Sequence, residues 1–159
     1  MLIPNLIKRL QADQPLNDFF TAQYGKTLKH LWGYKDSPTL NELPLLCYLS
    51  VKSDIKNKKE SLRTISIVII VDDARILDID NNVLTPDEQL TTDVQLFSGA
   101  VQSETAEFHI IKALTGFAIG DGSVISPNFT ITNDFTFGYP FFNTEITFEV
   151  KNSTNIHNQ

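Results

Sequence analysis

One cysteine and three histidines are the residues of this chain whose chemistry could make a nucleophile and its base. Cys47 beside His30 or His109 would form a thiolate–imidazole pair, the arrangement that activates a sulfur at neutral pH. The sequence argues against it. Cys47 stands in the apolar run Leu45-Leu46-Cys47-Tyr48-Leu49, where a thiol is inert packing. His109 lies between Phe108 and Ile110 as a boundary residue, and His157 sits in a polar tail. Asp72, Asp73, Asp78 and Asp80 invite a divalent cation, but they lack the alternating ligands, central glycine and closing glutamate of a calcium loop. They read as a solvated acidic edge. Gly116, Gly120 and Gly122 follow a helical pattern instead of opening one, and no Lys-Ser or Lys-Thr comes after them. They are turn residues and not a phosphate loop. No catalytic, cofactor-binding or metal-binding residue is assigned, and the chain is not expected to be an enzyme.

Charge is the remaining signal. Between Lys52 and Arg63 lie five basic and two acidic residues, a net of +3 that includes Lys56, Lys58 and Lys59. From Asp72 to Asp93 seven acidic residues face Arg75 alone, a net of -6. No aromatic residue interleaves the lysines, and the whole chain carries -6 with a pI near 4.9. That balance disfavours nucleic acid and anionic membranes, whose attraction rests on excess positive charge. The lysines therefore read as a solvated tip or as a contact for an acidic protein surface.

The elements that must hold these charges follow from periodicity. Leu2, Ile3, Leu6, Ile7 and Leu10 form the apolar stripe of a short amphipathic helix. A second helix begins at Asp13 as cap, with Pro15 in its first turn and Leu16, Phe19 and Phe20 inward, and stops at Gly25. A short strand is expected near Leu31. Residues 45–51 read as a strand apolar on both faces. Residues 62–71 read as a second, with Ile65, Ile67, Ile69 and Val71 on one face. Its other face starts polar at Thr64 and Ser66 and ends apolar at Val68 and Ile70. Such a strand projects at one end, and 52–61 would be the polar tip of the hairpin. Residues 76–79 are expected to close this meander as a third strand.

Thr85-Pro86-Asp87-Glu88 makes a capping box opening a turn or helix over 86–97. Ser98-Gly99 should bend or end it, and the principal helix is expected at 103–116. Strands then start at Phe129 and alternate through Ile146, Phe148 and Val150 about a turn at Gly138-Tyr139-Pro140. The fold class is α+β: a mainly antiparallel sheet with a long hairpin and helices packed on one face. At 159 residues the chain makes one domain over 1–151, followed by a flexible tail over 152–159. Met1 to Arg9 lacks the pattern of a secretory leader and no apolar run is long enough to span a bilayer. Synthesis in a cytoplasm is the expectation.

This layout resembles the tail terminator proteins of tailed bacteriophages, also called tail completion or neck proteins. The residues carrying the resemblance are Leu6 and Leu10, Tyr24-Gly25, Leu43-Pro44-Leu45-Leu46, the hairpin 45–71, the helix near 103–116, and Tyr139-Pro140-Phe141-Phe142 leading into Ile146-Thr147-Phe148-Glu149-Val150. It covers roughly residues 1 to 150 and is one of element order and punctuation. It implies a structural virion protein that caps the head-proximal end of the tail tube as a homohexameric ring, stops tube polymerisation and forms the head-joining surface. The implied partners are further copies of itself, the tail tube protein, the head–tail connector protein and, in a contractile tail, the sheath protein. No cofactor is implied. Lys56, Lys58, Lys59 and Arg63, with Asp72, Asp73, Asp78 and Asp80, are then the candidate subunit or tail-tube interface. A head-side connector of the phage neck is the alternative from the same particle. A small ligand-binding or enzymatic α+β domain with an apolar pocket is the alternative from another class.

Overall fold

A computed structural model describes residues 2–33, 42–57, 60–120, 122–134 and 138–152. Two helices open the chain, α1 (Leu2–Gln11) and α2 (Gln14–Tyr24). Asp13 caps α2 by accepting from the Leu16 backbone N–H, and Gly25, at φ 64°, ends it in the left-handed conformation expected of a glycine stop. Strands β1 (Lys29–Trp32), β2 (Leu45–Asn57) and β3 (Glu60–Asp72) follow, then β4 (Ile76–Leu77), α3 (Pro86–Thr91), β5 (Leu96–Phe97), α4 (Ser98–Leu114), β6 (Ser123–Asp134) and β7 (Phe141–Asn152).

Five strands form one sheet in the order β1-β2-β3-β7-β6, antiparallel except for the β1–β2 pair. The fold is α+β. One face of the sheet carries Leu46, Tyr48, Ile65, Ile67, Ile69, Ile146 and Phe148 against Leu6 and Leu10 of α1, Leu16 and Phe20 of α2, and Ile110 and Leu114 of α4. All three helices cover that face, because each has a single apolar stripe to bury. The other face holds a smaller apolar cluster of Leu43, Leu45, Cys47, Val68 and Ile70. It turns polar towards β7, where Glu145, Thr147 and Glu149 alternate with the buried Ile146, Phe148 and Val150.

Several expectations need correction. Ile76–Leu77 does not close the meander. It pairs with Leu96–Phe97 in a separate two-stranded sheet, and β7 takes the place beside β3, register by register from Asp72↔Phe141 to Ser61↔Asn152. Asp78 explains the difference: its Oδ1 accepts from the backbone N–H groups of Asp80 and Asn82 and reverses the chain after two strand residues. The long hairpin is present with 52–61 at its end, but that end is paired strand and not a loop. Its strands stay paired to Asn57↔Glu60, and β7 flanks β3 from Asp72 to Ser61. Lys58 and Lys59 lie outside the described residues, as do residues 153–159 of the expected tail; Asn152 is strand-paired with Ser61 and Ser123. Finally, Ser98 and Gly99 begin the principal helix instead of ending one, and α4 stops at Leu114. A methyl at Gly99 would fall inside the Phe142 ring, so the glycine serves close packing at the helix start. The capping box at Thr85 and Glu88 is present, but the helix it opens ends at Thr91.

Candidate functional site

The residues suited to covalent chemistry are kept apart. His30 pairs with Leu46 and Leu31 with Cys47 across the β1–β2 junction, so the imidazole and the thiol belong to opposite faces of the sheet. Cys47 is fully buried in the smaller apolar cluster. His30 Nδ1 lies 2.7 Å from the Tyr48 hydroxyl. Burial pushes His30 down to about 4 and pushes the Tyr48 hydroxyl up, so the pair is neutral at pH 7. His109 rests against the Phe19 ring, and His157 is outside the described residues. Among the described residues no three His, Cys, Asp or Glu side chains converge on a point a metal could occupy, and no helix is long and apolar enough to cross a membrane.

Part of the acidic stretch, Asp73, Asp78 and Glu88, is used by the fold itself. Asp73 is 3% exposed, which removes it from any solvated edge and from any interface. Arg75 donates to it from Nε (2.9 Å), Nη2 (2.8 Å) and its backbone N–H (3.1 Å). Ser98 Oγ donates at 2.8 Å, and the Tyr24 hydroxyl lies 3.2 Å away. Burial alone would raise this carboxyl, but the hydrogen bonds from Arg75 and Ser98 outweigh it and hold it below the usual carboxylate range. The cluster ties α2, the end of β3 and the start of α4 together. Asp78 serves its turn and Glu88 its cap. Asp72 is half-buried, and Asp80 is exposed.

Two surfaces remain, at opposite ends of the sheet. At the end where β2 turns into β3, Lys56 and Arg63 are exposed, with Lys151 beside them on β7. Val51, Ile55 and Val124 stand out of the same region, Ile55 at 76% exposure. Here the N-terminus of α1, Trp32 and the sheet enclose a cleft of about 490 Å³ whose lining includes Leu2, Ser50, Ser61, Arg63 and Asn152. Arg63 is the charged side chain among its described lining residues, which include no carboxylate, cysteine or histidine to move a proton.

The other end was not legible as a site. A second cleft, of about 330 Å³, opens between α4 and the β6–β7 pair, lined by Ser103, Glu104, Glu107, Asn133, Phe142 and Thr144 among others. Glu107 is 8% exposed, and burial, then the charge of Glu104, raises its carboxyl above the usual range. Ser103, 3% exposed, has an Oγ with no hydrogen-bond partner. The sequence does contain a signal. Ser103 and Glu107 are four apart and fall on the stripe that continues to Ile110 and Leu114, so a glutamate interrupts an apolar face. Beside the cleft, Phe97 and Tyr139 are half exposed and meet Phe142 at tilted and edge-on angles in an aromatic cluster. No protein-family model matches this chain, and no curated protein sequence matches it.

Proposed function

We propose that this chain is a structural subunit of a phage tail: a tail terminator that caps the head-proximal end of the tube as a ring. Such a ring ends tube polymerisation and leaves a surface for the head. The observation that carries the reading is the pair of unlike surfaces at the two ends of one sheet. The β2–β3 end is basic with exposed aliphatics, and the α4–β7 end is acidic with exposed aromatics. A closed ring needs a head-to-tail contact, in which one patch meets a different patch on the neighbour. Exposed apolar residues beside each charged group supply the area such a contact buries. The order of elements over residues 1 to 150, by which the chain resembles tail terminators, supports the same reading. The proposed partners are further copies of the chain, the tube protein on one side and the connector protein on the other, within the virion.

Negative-stain microscopy of particles from a lysate lacking this chain tests it. Overlong or ragged tails, unattached to full heads, are the expected result. Tails of normal length beside heads without a connector would replace the cap with a head-side adaptor. Complete infectious particles would remove both assembly roles.

A further inference from the structure

We propose that the cleft between α4 and the β6–β7 pair receives a lysine from the β2–β3 tip of a second copy of this chain. The inference rests on the ring reading above and names the contact that would build the ring.

The cleft is built for a cationic side chain. Glu104 and Glu107 are three residues apart on α4 and so share a face, where like charges repel. No lysine or arginine among the described residues pairs with either. Glu107 is nevertheless almost out of water, and the neighbouring Ser103 Oγ is buried without a partner. A desolvated carboxylate and an orphaned hydroxyl both gain from a donor that carries positive charge. The Phe142 ring forms one wall, an apolar surface suited to the methylene stem of a lysine. About 330 Å³ holds such a side chain, and two carboxylates without a third acidic or imidazole ligand make a poor metal cage.

The donor cannot be the chain's own tip. Thr144 at the cleft pairs with Ile69, and Ser61 lies eight residues further along β3. At a rise near 3.4 Å per residue, tip and cleft are about 27 Å apart along a rigid strand. The tip is also where the chain's cations gather. Lys52, Lys56, Arg63 and Lys151 lie there, and Lys58 and Lys59 adjoin Lys56 in the sequence. Lys52 is already engaged with Asp54, which leaves the exposed Lys56 as the described lysine on the hairpin that can serve as donor. Ile55 and Val51 at the tip would then meet the Phe97 and Tyr139 rings beside the cleft, so that apolar area surrounds the charged contact and excludes water.

The test uses the full chain, mixing isotope-labelled and unlabelled protein and joining lysines to carboxylates with a zero-length carbodiimide. The expected product is a peptide pair linking Glu104 or Glu107 to Lys56, Lys58 or Lys59, with one label from each copy. Its yield should fall at 1 M salt, where charges screen within about 3 Å. Reversing Lys56, Lys58 and Lys59 to glutamate should weaken association about tenfold or more, and adding Glu104→Lys with Glu107→Lys to the same chain should restore it. The wild-type cross-link keeps the result readable if a variant fails to fold. Rings that form without a tip-to-cleft cross-link would overturn this contact and leave the ring reading standing. A chain that stays monomeric and uncross-linked at high concentration would also overturn it, whereas the cap role is judged separately by tail length.

Discussion

Asp73 and Glu107 are both taken almost completely out of water, at 3% and 8% exposure, and the fold treats them in opposite ways. Asp73 receives a two-pronged guanidinium, a hydroxyl and a backbone N–H, and its carboxyl is held below the ordinary range. Glu107 has another glutamate as its charged neighbour and an unpartnered serine on the preceding turn, and its carboxyl is raised. A buried charge is tolerated when it is paired and hydrogen-bonded, and is a cost when it is not. The first site is therefore complete within one chain and reports on folding. The second lacks such partners within one chain, as the tip-to-cleft contact proposed above requires.

Removing the carboxylate that is fully partnered should do the greatest harm. Asp73→Ala strands the Arg75 guanidinium, and leaves Ser98 and Tyr24 without their acceptor. Because Arg75 is a third exposed, the expected loss is about 2–4 kcal/mol in urea unfolding, less than for a wholly buried pair. A loss under about 1 kcal/mol would reduce the cluster to a surface ion pair and dissolve the contrast with Glu107.

Gly99 stands between the two sites, next to Ser98 and beneath the Phe142 ring that walls the cleft. Gly99→Ala should cost about 1–3 kcal/mol through overpacking, and thermal unfolding would reveal it. If stability were unchanged, the start of α4 would be free to shift, and the two sites would not be rigidly joined.

Acidity separates the two carboxylates by sign. The depressed Asp73 contributes stability above its unfolded value of 3.8 and loses it as pH falls below that. The raised Glu107 does the reverse: relative stability is present below 4.5 and is lost as pH rises through its folded value. Wild type and Asp73→Ala should thus converge below pH 3.8, whereas Glu107→Gln should match wild type in acid and gain on it towards neutrality. His30, neutral until about 4, adds a common decline in stability as pH falls from 6.5, which cancels when variants are compared with wild type.

The smallest effect on stability is predicted for Glu107→Gln at pH 7, unchanged or more stable by up to about 1 kcal/mol, since it removes an unpaired charge. Calorimetry of the monomer tests this. A loss of 2 kcal/mol or more would mean that Glu107 has a partner within its own chain and is the equal of Asp73.

Much of the fold was legible because it is written in local patterns. The Asp13 cap, the Gly25 stop, the Thr85–Glu88 box and the alternation of Ile65, Ile67, Ile69 and Val71 each depend on neighbours a few residues away. The errors fell where distant partners decide. Nothing local in Ile76-Leu77 says that β7 will take the place beside β3, and nothing in Ser98-Gly99 says that Asp73 and Phe142 await them across the molecule.

The charge map divides the same way. That a basic segment lies near residues 52–63 and an acidic one near 72–93 follows from residue order alone, because charge is a property of residue type. Which of those charges reach solvent depends on how the chain folds. It spent Asp73 on Arg75, Asp78 on a turn and Glu88 on a cap, and it brought Glu104 and Glu107 to the mouth of a cleft at the far end of the sheet. Burial and pairing are long-range properties of the folded chain, and they, more than composition, set what a charged side chain can do.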